Sequence, residues 1–257
     1  MAFERGIPRA GMTAVAWMLA FAALATSTAF AQPGYHQPLN QHVPPGKAAG
    51  WMNLIRRYDP SWLQPVRVEL PSTGDVAVFS ASSQPSAMAA APATFAVNAG
   101  HVYRLQVSNM PEFPGVELFP TIELLDHLHP PVGREDEFPI PVPLAADDIR
   151  IALSGQMVTR VIYLEQPQTA QALDPLRREF PQSVGPTDNA LEEADRLGRP
   201  MMIVRIGSRR PIDGSTPASF FGTGGAVEPR ATVLPPEFVD ARPATPSTAA
   251  IRSLVQR

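Results

Sequence analysis

His127 and His129, two histidines separated by one residue, have the type and spacing best suited to chemistry in this sequence. On an extended strand, residues two apart face the same side, so both imidazoles could reach one metal ion. Zinc, copper and iron accept two His nitrogens and a carboxylate oxygen. Glu135, Asp136 or Glu137 would return across a Pro/Gly turn as the third ligand.

The same pair also fits the solvated end of a strand, since two prolines follow it at 130 and 131. The acidic run at 135–137 is typical of an exposed turn, with calcium as its alternative ligand. We therefore expect no catalytic, cofactor-binding or metal-binding residue in this chain. If that expectation fails, the candidate metal ligands are His127, His129, Glu135 and Asp136.

Other common chemistry is missing from the sequence. The chain has no cysteine, which excludes thiol nucleophiles, zinc thiolates and iron–sulfur clusters. It has no G-x-S-x-G, H-E-x-x-H, phosphate-loop or dinucleotide motif. The glycine cluster at 222–225 follows no predicted strand, so we interpret it as linker. A net charge of −3 without clustered Lys or Arg argues against a nucleic-acid partner.

The first 31 residues have the features of a cleavable export signal. A short positive start precedes an uncharged apolar run over 12–25, and the small residues Ala-Phe-Ala follow at 29–31. The apolar run is shorter than the roughly 20 residues that cross a bilayer. The sequence predicts cleavage between Ala31 and Gln32, no integral membrane segment afterwards, and a periplasmic or extracellular protein. An uncleaved anchor is the alternative.

Composition divides the remaining chain into three parts. Residues 32–50 are rich in Pro, Gly and Gln and predict a flexible leader. Residues 51–210 carry the strand signals and predict a β-rich domain, with a low-complexity surface loop at 81–92. Residues 211–257 are rich in Pro, Ser, Thr and Ala, which predicts a disordered tail with a transient helix over 249–255.

Alternating apolar and polar residues predict seven or eight short strands in the domain. They lie at 66–70, 75–80, 94–98, 101–109, 116–125, 138–144, 157–164 and 201–206.

The first two of these strands look like a hairpin. Short helices are expected at 146–154 and 187–197 on the connections. Prolines alternate in the strand FPIPVPL, as in an edge strand protected from pairing with another chain. We predict a mainly β fold, a β-sandwich immunoglobulin-like in texture. A mixed α/β fold with a crossover over 157–206 is the alternative.

Five segments carry a resemblance to a known family. They are VYRLQVSN (102–109), GVELFPTIELLD (115–126), FPIPVPL (138–144), GQMVTRVIYLE (155–165) and ADRLGRP (194–200). With these segments the chain resembles a family of uncharacterised exported proteins of planctomycete-type bacteria. The resemblance implies a sandwich-like module of the cell envelope and transfers no activity or site residue.

Compartment, strand pattern and the absence of catalytic motifs together favour a binding or structural role. We expect a non-enzymatic exported module of the cell envelope that binds a protein or a polysaccharide, without a cofactor. The alternative is a small metal-dependent hydrolase that uses His127, His129 and a nearby carboxylate.

Overall fold

The fold comes from a computed structural model, which describes residues 40, 42–167, 182–185, 187–212, 215–232 and 251–256. These residues all belong to one compact unit. No helix among the described residues is long and apolar enough to cross a membrane. The predicted signal segment, together with residues 32–39 and 41 of the predicted leader, lies outside the described residues.

Three α-helices and twelve strands occur in the described residues. In chain order they are α1 (Lys47–Arg56), β1 (Gln64–Glu69), β2 (Asp75–Phe79), β3 (Ala87–Ala90), β4 (Ala93–Val97), β5 (Val102–Ser108), β6 (Thr121–Leu124), β7 (Ile140–Pro143), α2 (Ala146–Leu153), β8 (Val158–Glu165), β9 (Gln182–Ser183), α3 (Ala190–Leu197), β10 (Gly198–Ile206), β11 (Val227–Arg230) and β12 (Ile251–Gln256). Short 3₁₀ helices lie at Glu135–Glu137 and Ala218–Phe221.

The strands form two sheets, which confirms the predicted mainly β, sandwich-like fold. Sheet A has the order β11-β4-β1-β7, and sheet B has the order β3-β2-β5-β6-β10-β8-β12-β9. The crossover considered for a mixed α/β fold is not formed, because β8 and β10 are antiparallel neighbours. The predicted hairpin of β1 and β2 is wrong, since these strands belong to different sheets. A five-residue connection is long enough to carry the chain from one sheet to the other.

The core lies between the two sheets. Strands of both sheets contribute alternate residues to it, such as Leu105 and Val107 of β5 in sheet B and Val66 and Val68 of β1 in sheet A. Ile149 of α2 belongs to the same cluster, so this helix packs into the core from the connection after β7. The period of two along the strands places their other side chains on the outer faces.

Helices cover the outer face of sheet B. The apolar residues that meet there are Ala48, Ala49, Leu125, Val161, Tyr163, Ala190, Leu191, Ala194, Ile203 and Leu254. Asn189 begins α3 by accepting hydrogen bonds from the N–H groups of Leu191 and Glu192. At α1, a buried carboxylate from sheet B takes the capping role: Oε1 of Glu123 accepts the N–H of Ala49 at 2.9 Å.

Strand β7 is an edge strand of sheet A, as the alternating prolines predict. Just beyond its end, Leu144 donates its N–H to Glu69 of β1 at 2.9 Å. Peptide groups of successive residues point to opposite sides of a strand, so Pro141 and Pro143 face the open edge. Proline has no N–H to donate, which leaves that edge without donors for another strand.

Two segments predicted to be irregular form regular structure instead. The loop predicted at 81–92 contains β3, which pairs with β2. The small side chains of this segment give no strand pattern, but its backbone groups can still form the hydrogen bonds of a sheet. The leader predicted at 32–50 ends earlier than predicted, because α1 begins at Lys47. This helix continues to Arg56 and so replaces the short helical turn predicted at 51–55. Burial of Ala48 and Ala49 on sheet B extends this helix toward its N-terminus.

The tail predicted to be disordered at 211–257 contributes to both sheets where it is described. Strand β11 pairs with β4, and β12 lies between β8 and β9 at the place where a transient helix was expected. Phe220 and Phe221 are buried against the outer face of sheet B. The described part of the tail therefore adds separate strands and one aromatic pair to sheets that other segments build. Because these strands depend on partners elsewhere in the chain, the composition of the tail does not predict them.

The glycine cluster at 222–225, interpreted above as linker, packs on the start of β5. Thr223 donates its N–H to the carbonyl oxygen of Val102 at 3.0 Å, and its hydroxyl accepts the N–H of Val102 at 2.9 Å. Gly222 has φ +114°, and a Cβ there would lie 2.3 Å from the Val102 carbonyl oxygen. Only glycine fits so close to a neighbouring backbone.

Candidate functional site

The two candidate histidines lie directly after β6 and come together as their spacing predicts. The centroids of the His127 and His129 rings are 4.5 Å apart. Nδ1 of His127 lies 3.2 Å from the carbonyl oxygen of Leu128. Since that oxygen can only accept, the neutral ring carries its proton on Nδ1 and keeps Nε2 as an acceptor. His129 is exposed, and His127 is half-buried.

The acidic run proposed to complete a metal site is engaged elsewhere. Glu135 accepts the N–H of Gly133 at 2.9 Å, and backbone hydrogen bonds lower the pKa of its carboxyl. Glu137 pairs with Arg134, which lowers the pKa of Glu137. Oδ1 of Asp136 lies 3.8 Å from Nε of a β11 arginine. Among the described residues, no group of three or more His, Asp or Glu side chains could hold a metal ion.

Asp126 is the carboxylate that lies beside the histidines, and it is 1% exposed. Its Oδ1 accepts the N–H of His127 at 2.9 Å. Its Oδ2 lies 2.7 Å from Nη1 of Arg56, at the end of α1, and 3.4 Å from Nη1 of Arg199, in β10. Two guanidinium groups facing one carboxylate leave a local positive charge.

Two aromatic side chains from the connection between α1 and β1 complete the arrangement, and the sequence analysis did not find them. The ring centroids of Tyr58 and Trp62 lie 5.6 and 5.5 Å from that of His127. We call Tyr58, Trp62, His127 and His129 the ring cluster. Asp59 and Pro60 form a turn between the two aromatics, and this turn within Y-D-P-S-W was the available sequence signal.

Hydrogen bonds hold the aromatic side of the ring cluster in place. The hydroxyl of Tyr58 donates to the carbonyl oxygen of Leu125. Burial and the charge of Asp126 raise the pKa of Tyr58 to about 12, so its proton stays in place at neutral pH. Asn98 donates from Nδ2 to the carbonyl oxygens of Pro60 and Trp62 at 2.8 and 3.1 Å. Within the described part of the chain, Nε1 of Trp62 is buried and has no hydrogen-bond acceptor.

These features offer several kinds of contact to a ligand. The ring cluster offers aromatic faces, one exposed imidazole and an Nε2 acceptor close to the ion-paired Asp126, and its indole N–H is buried. The carboxylate beside the ring cluster, Asp126, is ion-paired with both arginines. Comparisons of the chain with protein-family models, with curated proteins and with solved structures give no match.

Proposed function

We propose that this protein is a non-enzymatic, exported module of the cell envelope that binds an acidic polysaccharide at the ring cluster. The observation that carries the proposal is the contact of Tyr58, Trp62 and His129 with the central ring of His127, at centroid separations of 4.5–5.6 Å. Aromatic rings present flat apolar surfaces that stack on the C–H faces of sugar rings, and their polar atoms bond hydroxyl groups.

Charge favours an acidic sugar over a neutral one. Arg56 and Arg199 together carry one more positive charge than Asp126 balances. Their side chains are 40% and 32% exposed, so a uronate carboxylate from solvent can reach them. Guanidinium groups bind carboxylates through paired N–H donors.

The unpartnered indole N–H of Trp62 adds a directional contact. A buried donor without an acceptor costs about 1–3 kcal/mol. That nitrogen is buried, so a sugar oxygen reaches it only if the Trp62 ring shifts on binding, and the new hydrogen bond would then remove that cost. The Asn98 hydrogen bonds fix the backbone at Trp62, so little order has to be gained on binding.

The experiment measures binding of polygalacturonate and of neutral dextran by isothermal calorimetry. The variants are His129→Ala, which changes an exposed side chain, and Trp62→Phe, which removes the indole N–H. We expect each to weaken polygalacturonate binding about tenfold, corresponding to about 1.4 kcal/mol. Phe138→Ala, an exposed aromatic outside the ring cluster, should leave affinity unchanged. Equal affinity of all three variants, or no binding at all, would contradict the proposal.

Export is the second part of the proposal, and it rests on the N-terminal pattern. We expect the protein isolated from its host to begin at Gln32, as read by N-terminal mass spectrometry. A membrane-associated form with an intact Met1 would show that residues 1–31 act as an anchor.

A metal-dependent hydrolase is the alternative, and the closeness of His127 and His129 is the observation that favours it. A metal site needs a third protein ligand at about 2.0–2.2 Å, and the nearest carboxylate, Asp126, already binds two arginines. We expect calorimetric titration with zinc or copper to show no tight binding. Micromolar binding that disappears in a His127→Ala, His129→Ala double variant would establish the metal site instead.

A further inference from the structure

Helix α1 carries its large apolar side chains on the side that faces away from the protein. Trp51, Leu54 and Ile55 are 56%, 77% and 72% exposed. Residues three and four apart lie on one face of a helix, so these three form a single apolar stripe. The inner face of the helix consists of the small residues Ala48 and Ala49 with the half-buried Met52. Three of the four large apolar residues of this helix thus face solvent, whereas a surface helix usually buries such residues.

The orientation of α1 is fixed by contacts on its inner side. Glu123 accepts the N–H of Ala49, and Arg56 pairs with the buried Asp126. Rotation of the helix to bury the apolar stripe would break both contacts and expose charges that sheet B now holds. The stripe therefore stays on the surface and is available to a partner.

Charge identifies the kind of partner. Lys47, the only lysine of the chain, is exposed and lies four residues before Trp51, on the same side of the helix. Arg57 is exposed directly after the last turn. From residue 5 to residue 58 the sequence contains no Asp or Glu, whereas the chain as a whole has a net charge of −3. Two exposed cations thus flank the apolar stripe, and no acidic residue belongs to the helix itself.

We propose that α1 docks the protein on an anionic membrane surface, with the apolar stripe inserted among the lipid headgroups. A helix with Trp and Leu on one side and flanking Lys or Arg is typical of segments that lie in the bilayer interface. Ten residues span about 15 Å, so α1 lies in the surface and does not cross the bilayer. This docking is separate from the ring cluster and would hold it close to the membrane.

The test uses the chain from Gln32 to Arg257, which contains the whole described unit, and vesicles of phosphatidylcholine with or without phosphatidylglycerol. We expect flotation with the anionic vesicles only, and weaker flotation at high salt. A Trp51→Gln, Leu54→Gln, Ile55→Gln variant should lose at least about tenfold in partitioning. Replacing Lys47 and Arg57 by Gln should cost about fivefold for each cation.

Control variants distinguish docking through α1 from nonspecific hydrophobic adsorption and from misfolding. Met88→Gln with Val132→Ser changes two exposed apolar residues elsewhere and should float like the parent. All substituted side chains are exposed, and circular dichroism checks that each variant is folded.

On binding, tryptophan emission should shift to the blue, and the shift should vanish in Trp51→Phe. Partitioning of the triple variant equal to that of the parent would overturn the proposal. A stable dimer that the triple substitution dissociates, without vesicle binding, would also overturn it and make the stripe a protein interface.

Discussion

Arg205 of β10 and Glu123 of β6 form a buried ion pair on the outer face of sheet B, with Nη1 and Oε2 2.7 Å apart. The second oxygen of Glu123 accepts the N–H of Ala49 in α1. Arg205 also donates from Nη2 to the carbonyl oxygen of Val43 at 3.2 Å. One ion pair therefore joins two neighbouring strands to the helix that carries the apolar stripe and to the chain before it.

Replacing Glu123 by Gln should lower the free energy of unfolding by about 3–5 kcal/mol, because it removes the carboxylate that faces a buried guanidinium. Denaturant unfolding measures the loss. Glu137→Gln is the matched control, since the pair of Glu137 with Arg134 is exposed and contributes at most about 1 kcal/mol. If the two variants lose the same free energy of unfolding, the buried pair does not stabilise the fold more than the exposed pair does.

A chain that ends at Arg210 should fail to fold cooperatively. It lacks β11, β12, Phe220 and Phe221, and losing even one buried Phe side chain costs about 3–5 kcal/mol, compared with a typical total stability of about 5–15 kcal/mol. Thermal unfolding followed by circular dichroism is the measurement. In the full chain, Phe221→Ala alone should cost about 3–5 kcal/mol, and the exposed Val132→Ala should cost almost nothing. A sharp transition in the shortened chain would show that the fold does not need the tail, which would support the disorder predicted from its composition.

Gly222→Ala should destabilise the protein by about 1–3 kcal/mol, because φ +114° and ψ −169° lie in a region that only glycine occupies readily. The matched control is Gly50→Ala in the exposed part of α1, where a Cβ meets nothing within 4 Å. That change should raise stability by about 0.5–1 kcal/mol, since alanine favours the helix. Denaturant unfolding of both variants measures the change in the free energy of unfolding. Changes of opposite sign in the two variants confirm the expectation, and equal changes contradict it.

Stability should fall as the pH drops from 7 to 5. Burial lowers the pKa of His101, and burial together with the neighbouring His127 and Arg199 side chains lowers the pKa of His129. Their ordinary pKa is 6.5, so below it the unfolded chain binds protons that the folded chain does not. The stabilisation is full above pH 6.5 and is lost as the pH falls toward the folded pKa.

Substitution of His101 by Gln should flatten this pH dependence of the free energy of unfolding. A slope that does not differ between the parent and His101→Gln would mean that other groups cause the dependence.

Local patterns in the sequence identified the elements that form from their own residues. The alternation in His101–Asn109 gives β5, and the alternating prolines of 138–144 give the edge strand β7. Asp147 and Asp148 begin α2, as charges at a helix start should. The two-residue spacing also brought His127 and His129 together, because neighbours in an extended chain need no tertiary contact to share a side.

Only the tertiary structure decided which distant segments meet. Trp62 joins the histidines because the connection before β1 crosses the end of β6, and Asp126 meets Arg199 because β10 pairs with β6. Strand β12 forms because β8 supplies the partner that its own sequence lacks. The exposed stripe of α1 arises because Glu123 and Asp126 hold the other side of the helix. Each of these depends on long-range pairing, whose free energy is set by the partner as much as by the segment itself.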